Sequence, residues 1–587
     1  MKELFLVTTG LEETWPDSDQ PILFLGEWCR IYSQKHRWIN IDTEVVPYHW
    51  DDRNKLYKDY QYLLELFERV LEELAIVLNN IHNVSFSPRY WRIIIGPWLM
   101  GFLTIIFDRW SCLHVAIEKY PITNTNIQEG VDLNYVPQSM EHYCDIVTTD
   151  LWNHAIYSSI LKYLKFKKVS FLKSSKDIPK WQVNNAAEKK NITSKIKSTM
   201  IGSTSLLSKN NNYFFIDTYL SKIDVIKLQL KLGQVPVFYR EDYDTKLIPQ
   251  ESFRNITLSG FKCNNEFEKF VKEVIPLQMP KAYLEGYNDL SEQTRNTSWP
   301  EKPKLIWTSV AFHLDEIFKF WAAEKVEKGV PLVIGQHGGN YGQALFSMAE
   351  YHELKICDHY LSWGWEGSSD KVIPIGTFKK PIKKKKKGND KTSVVLLLTA
   401  ASRYVGGIQS IPVSSQWTDY LDNQIEFYEH LPDQITSNVT VRLYPHDYKW
   451  SQFQRWKEKF PGSKIDKGEV PFNNVIANTD LLISGWNTTA YLETMLSNVP
   501  TIIFWETGYF ELRNDAKEVF KKLKKVGIFH DNSLSAANHV EKVWGDIDEW
   551  WNRPDVLSAR NEFTRKYVYS DNMLERLCSV FKEISNR

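Results

Sequence analysis

Four short apolar runs, "SVVLLLTA" from Ser393, "NVTVRLYP" from Asn438, "LLISGWN" from Leu481 and "VPTIIFW" from Val499, each stop at turn residues and are separated by helical segments. An apolar run bounded by turn signals reads as a strand buried on both faces, and strands alternating with helices pair in parallel through crossovers. The earlier chain repeats the pattern. "ELFLVTT" and "ILFLGEWC" open it, and "KLIWTSV", "VPLVIGQHGG" and "DHYLSWGW" return to it, with "AFHLDEIFKFWAAEKVEKG" as an intervening helix. Leu56, Tyr60, Leu63, Leu64, Phe67, Leu71, Leu74 and Leu78 recur at helical spacing, which predicts an amphipathic helix over 56–78. At 587 residues the chain exceeds what one hydrophobic core holds. The expected fold is α/β, with two doubly wound, Rossmann-like domains facing across a cleft: residues 1–378 with helical insertions, a Lys-rich linker over 379–391, and residues 392–587.

Composition removes several function classes. Lys+Arg and Asp+Glu both total 72, which leaves no global field to hold a nucleic acid. The six cysteines show no C-x-x-C spacing, and the opening "MKELFLVTTG" enters a strand without a secretory apolar region, so a reducing cytoplasm is expected. The N-x-S/T matches then carry no glycosylation meaning. Ile93 to Phe107 is a run of fifteen mostly apolar residues, shorter than the roughly 20 a spanning helix needs. A buried helix is expected there, with shallow attachment to the inner face of the membrane as the functional alternative. The lysines from Lys383 to Lys387 read as a solvated linker, with anionic lipid as the alternative contact. The polar stretch "NNAAEKKNITSKIKS" reads as an exposed loop or insertion and yields no chemistry.

Ligands of open parallel sheets bind outside the carboxyl ends of the strands, so chemistry is sought on strand-to-helix loops. The loop "SGWNTT" places Ser484, Thr488 and Thr489 where a strand ends and a helix begins, followed by Glu493. Free helix N–H groups, the positive dipole end and these hydroxyls suit a phosphate; an ordinary Thr N-cap has the same spacing. Arg442 lies within the strand of "VRLYPHDYKW" and His446 and Asp447 just past it, where cationic groups can neutralise a nucleotide leaving group and a turn cap is the structural alternative. In the amino-terminal half, Glu12, Glu13 and Glu27 follow strands, and the glycine-rich turn "VIGQHGGNYG" carries His337; any of the four could serve a sugar hydroxyl as general base. "HELKICDH" has ligand-type residues without a metal spacing and is read as structural. P-loop, G-x-S-x-G and H-E-x-x-H motifs do not occur.

The segments "LVTTGLEETWP…ILFLGEWC", "VIGQHGGNYG…DHYLSWGW" and "SGWNTTAYLETMLSNVPTIIFW…LRNDAKEVFKKLKKVGIFHDNSLSAANHVEKVWGDIDEWW" together resemble the LIC12162 family, transferases of bacterial O-antigen gene clusters. More distantly the chain resembles capsule glycosyltransferases of the Kdo-transferring type, although it carries Pro445-His446 where those enzymes have His-Pro. The resemblance implies a GT-B-like glycosyltransferase acting on an O-antigen or capsule intermediate. It implies donor binding by Arg442, His446, Ser484, Thr488, Thr489 and Glu493, and an acceptor side presenting Glu12, Glu13, Glu27 or His337. The implied partners are a nucleotide-sugar donor, possibly carrying a CMP-linked ulosonic acid or else an NDP-hexose, and a glycan or lipid-linked glycan acceptor. No metal and no cofactor are expected. A CDP-polyol phosphotransferase and a non-catalytic polysaccharide-assembly protein are the rival readings.

Overall fold

The apolar runs form strands, and every pairing between the strands named here is parallel. A computed structural model describes residues 3–17, 20–128, 135–172, 210–241, 250–367, 369–385, 392–568 and 571–586. The first sheet contains β1 (Leu4–Val7), β2 (Ile22–Phe24), β3 (Thr43–Val45), β4 (Ile122–Gln128) and β5 (Val169–Leu172), in the order β3-β2-β1-β4-β5. The second contains β6 (Phe214–Phe215), β7 (Ile306–Thr308), β8 (Leu332–Gly335), β9 (His359–Ser362) and β10 (Val372–Pro374), in the order β10-β9-β8-β7-β6. The third contains β11 (Val394–Leu397), β12 (Val439–Arg442), β13 (Lys464–Asp466), β14 (Leu481–Ser484), β15 (Thr501–Phe504) and β16 (Phe529–His530), in the order β13-β12-β11-β14-β15-β16.

The first and third sheets reverse direction after their third strand, the order of a doubly wound Rossmann-like unit. These are the two doubly wound units expected of a GT-B-like α/β chain. The second sheet steps one way throughout, so the residues up to 378 carry a further, singly wound sheet that the sequence reading did not separate. Its strands β6 and β10 are two and three residues long, too short to stand out as apolar runs.

Two long helices join the first two sheets. In α1 (Arg53–His82), Leu56, Leu63, Phe67, Leu71, Leu74 and Leu78 form the buried stripe; Asp52 caps its start, and Asn83 ends it in the left-handed conformation at φ 52°. The expected 56–78 helix is therefore longer at both ends. In α2 (Pro88–Lys119), the stretch from Ile93 to Ile106 is buried almost without a break. It packs against α1 on one side and, on others, α3 (Asp150–Tyr163), α4 (Glu316–Glu327) and α5 (Met348–Ile356). Gly96 lets the His352 imidazole lie directly on the α2 backbone, where a Cβ would come within 2.5 Å of the ring. The apolar run weighed for a lipid surface is instead the core shared by the first two sheets.

Three of the ties between the third sheet and the others lie outside the strand-end loops of the second sheet. Arg53 at the start of α1 grips Glu511 with two hydrogen bonds, Nε to Oε1 at 2.7 Å and Nη2 to Oε2 at 2.9 Å. After α6 (Thr489–Leu496), the helix α7 (Met573–Ser585) returns to the second sheet, packing Phe581 on Phe215 and Trp307 with ring centroids 5.4 and 5.1 Å apart. The third tie is a buried ion pair. Arg403, on the loop after β11, donates to Asp150 Oδ2 at 2.7 Å and to the Trp28 carbonyl, and Asp150 Oδ1 accepts from Gly10 N and the Tyr404 hydroxyl. The linker is anchored too: Lys379 pairs with Glu493, Lys380 with Asp224 and Lys384 with Asp480. Lys386, Lys387 and the stretch "NNAAEKKNITSKIKS" lie outside the described residues.

The Arg403–Asp150 side chains are 2% and 5% exposed, so removing one partner strands the other in a low-dielectric interior. Loss of one member of such a pair costs about 3–5 kcal/mol. Asp150→Ala is expected to lower the unfolding free energy by that amount in denaturant titration. Burial alone would raise the Asp150 carboxyl, but Arg403 and Lys449 hold it below its ordinary 3.8. A folded value below the unfolded one means the contribution is complete above about pH 4 and is lost as pH falls through the folded value. Acid unfolding of the wild type is therefore expected to be steeper below pH 4 than that of Asp150→Ala.

Candidate functional site

At the carboxyl edge of the third sheet, Leu397 stands in register between Arg442 and Ser484. The chain reverses winding direction between β11 and β14, so the loops after these strands part and leave a crevice at the switch point. The β14 loop runs through Trp486 and Asn487 into α6. Thr488 caps α6, its Oγ1 accepting from Ala490 N at 3.0 Å. Asn487 is 3% exposed and its side-chain amide lies 2.9 Å from the Tyr491 hydroxyl, whose single proton goes to Gln343 Oε1 at 2.7 Å, so the amide meets the phenol oxygen with its N–H. On the β11 loop the Ser402 hydroxyl is buried without a partner among the described residues. The switch point between such loops is where open parallel sheets seat a ligand. The positive end of α6 makes an anion the favoured one.

The glycine-rich turn after β8 faces this helix start. A Cβ on Gly339 would lie 2.5 Å from Thr488 C and Thr489 N, so only glycine lets the two backbones meet. Gly342 has φ +72° and lies against the Trp365 indole, where a Cβ would approach to 2.3 Å. Gln343 completes the junction: its Nε2 donates to the Gly339 carbonyl at 2.8 Å, and its Oε1 accepts from the Tyr491 hydroxyl of α6 at 2.7 Å. Gln336 braces the turn from behind, accepting from Trp363 N and Trp365 Nε1 and donating to the Gly338 carbonyl.

His337 is thereby fixed at the carboxyl edge of the second sheet, with 27% of its side chain exposed. Its Nε2 lies 3.3 Å from the Tyr341 hydroxyl, which donates to Glu353 at 2.7 Å, so the tyrosine oxygen is placed to accept from the imidazole. Nδ1 is buried, 3.7 Å from Glu353. Burial pushes His337 down to about 4, against the pull of the Ser309 backbone. The imidazole is neutral at physiological pH and able to take a proton.

Three more acid–base groups, Asp217, His313 and Asp315, and a tyrosine belong to the same edge. Asp217 and Tyr219 follow β6 with φ of 46° and 62°, a left-handed backbone that non-glycine residues rarely adopt and that clusters at functional sites. The Tyr219 ring lies parallel to His337 at 6.5 Å. His313 and Asp315 follow β7, and Asp315 caps α4 by accepting from Phe318 N at 2.9 Å. That cap splits the single helix expected from Ala311 to Gly329 at Asp315. Desolvation moves all three groups: Asp217 upward, Asp315 up to about 6, and His313 down to about 4. Asp217 and His313 are nevertheless open to solvent, the combination a concave wall produces. The sequence signal was "SVAFHLDE", a polar turn after a strand, hidden because it reads equally well as helix.

The other candidates are placed as follows. Arg442 is buried and pairs across the strands with Asp466. Asp447 caps a helix start through Ser451 N and Gln452 N, while His446 is exposed with its ring edge-on to Tyr448 at 4.2 Å. Ser484 is fully buried and Thr489 half-buried at the first turn of α6, where Glu493 pairs with Lys379 of the linker. Glu12 pairs with Arg37 and Glu27 with Arg30, while Glu13 lies in the same short helix as Glu12. Glu27 N donates to Ser415 Oγ, so its loop abuts the third unit. Among the described residues no hydrogen bond or ion pair joins these glutamates to His337. The structure therefore brings together Thr488, Thr489 and the His337 turn, and leaves Glu12, Glu13, Glu27 and His446 in other settings.

Comparison with known proteins agrees with the sequence resemblance. No curated protein matches the chain. Solved structures that resemble part of it include Anabaena HepE in complex with UDP and glucose, at 10% identity and a TM-score of 0.31 over 55% of this chain and 89% of that one. They also include Acinetobacter baumannii MurG, at 8% identity and a TM-score of 0.31 over 64% of this chain and 99% of that one. The wall teichoic acid polymerase TagF matches at 11% identity and a TM-score of 0.25 over 51% of this chain and 85% of that one. The family model for LIC12162 family transferases matches residues 4–580, nearly the whole sequence, and the chain belongs to that family of enzymes.

Proposed function

We propose that this transferase moves a sugar from a nucleotide-activated donor to a glycan or lipid-linked glycan of a surface polysaccharide. The observation that carries the reading is the junction itself: the positive end of α6, capped by Thr488, faces a neutral histidine held on a glycine-rich turn. The donor phosphate is stabilised by the first N–H groups of α6, Thr488 and Asn487, so the charge that grows on the departing nucleotide meets fixed dipoles. The acceptor hydroxyl lies on the side of the second sheet, where His337 takes its proton. The new C–O bond forms at the anomeric carbon as the bond to the phosphate oxygen breaks, and the nucleotide leaves with the electron pair. A CMP-linked ulosonic acid is the first donor to test, on the resemblance to Kdo-type capsule enzymes, followed by NDP-hexoses.

Two measurements check this. A thermal-shift panel of CMP, UDP, GDP and dTDP is expected to give one clear stabilisation, about 2.7 kcal/mol at 100 times Kd. Asn487→Ala and Thr488→Ala are each expected to weaken that nucleotide about tenfold, or ~1.4 kcal/mol. No shift with any nucleotide would favour the assembly-protein reading, and release of CMP from a CDP-polyol with the polyol phosphate carried to the acceptor would favour the phosphotransferase.

His337→Ala is expected to lower turnover by about 10²–10⁴-fold while nucleotide affinity holds. Asp315 is ionised only above about 6, so an acid limb of kcat/KM near that pH is expected and should vanish in Asp315→Asn.

A further inference from the structure

The chain between the His337 turn and α5 forms, on its far side, one wall of a second cavity. Ala344 and Leu512 make an antiparallel bridge, and Leu345 N donates to the Glu511 carbonyl at 2.9 Å, so the cavity straddles the junction of the second and third units. It holds about 520 Å³, within the roughly 300–1,000 Å³ of small-molecule sites. Half-buried Tyr60 of α1 and Tyr351 of α5 supply aromatic surface, with the buried Trp365 after β9 behind them, and Glu366 and Arg513 supply polar groups.

We propose that this cavity binds a neutral saccharide, the part of the acceptor glycan beyond the reacting sugar. The inference rests on the glycosyl-transfer reading above. Aromatic rings pack on the C–H faces of sugar rings, and carboxylates accept from their hydroxyls. The charge balance argues against a phosphate-bearing ligand: Arg513 is already paired with Glu350, and Glu366 adds a carboxylate at the rim. The cavity is also joined to the catalytic turn. Glu350 Oε2 accepts from Gly342 N at 3.1 Å, and Trp365, which lines the cavity, packs on Gly342 and donates its indole N–H to Gln336 beside His337. A glycan seated there presses on the same backbone that positions His337 and bridges the two units that form the donor junction.

The test uses the full chain and saturation-transfer NMR with the methyl glycosides of glucose, galactose, mannose, rhamnose and N-acetylglucosamine. At least one glycoside is expected to show transfer, reduced fivefold or more in Tyr60→Ala and in the exposed rim variant Glu366→Lys, and unchanged in Thr488→Ala. Absence of transfer from all five glycosides, transfer that survives both cavity variants, or competition by the nucleotide found in the thermal panel would overturn the proposal. Glu366 is exposed, so its variant reports on the cavity even if Tyr60→Ala fails to fold. Nucleotide binding is read separately, so failure of the saccharide site leaves the donor assignment standing, and loss of nucleotide binding alone counts against the transfer reading.

Discussion

Gly339 rests on the peptide between Thr488 and Thr489 with no room for a single added carbon. That approach sets the distance between the second and third sheets, and with it the separation of any phosphate at α6 from any hydroxyl beside His337. A methyl group there would meet backbone on both sides, and packed backbone has no rotamer to yield. Gln343 then reads both partners at once, donating to the Gly339 carbonyl and accepting from Tyr491 of α6. The other glycines of the turn serve the same end by letting Trp365 and Tyr341 close over it.

Around this junction the protein distributes charge unevenly. Charges that tie the units together are paired: Arg403 with Asp150 and Arg53 with Glu511. At the candidate site, by contrast, His337, His313, Asp217 and Asp315 are shifted chiefly by desolvation rather than by a dedicated counter-ion. Groups whose charged form is disfavoured are poised to change protonation when a charged ligand arrives, and such groups cluster where chemistry occurs.

Much of the framework was legible in the residues. The apolar runs at 4, 22, 306, 332, 359, 394, 439, 481 and 501 are strands, since burial on both faces demands continuous apolar side chains. The Thr488 cap and the strand-to-helix loop before it were legible for the same local reason. The separate second sheet was not, because β6 and β10 are too short to carry a pattern. Nor were Asp217, His313 and Asp315: their importance comes from strands distant in sequence that bring their carboxyl ends together, and an isolated acid or histidine in a polar turn looks solvated. Glu12 and Glu27 show the converse, plausible by position yet each paired with a nearby arginine.

The sequence by itself determined the class of fold, parallel sheets wound with helices, because hydrophobic periodicity and turn residues are local properties and survive without knowledge of the partners they will meet. It also determined that the turn at His337 needed glycine. Why it did was decided only in three dimensions, where the backbone of that turn meets the start of α6 about 150 residues later and no side chain can intervene. Desolvation and the meeting of two sheet edges are properties of the packed molecule: they depend on which surfaces exclude water from one another, and no single stretch of chain contains that information.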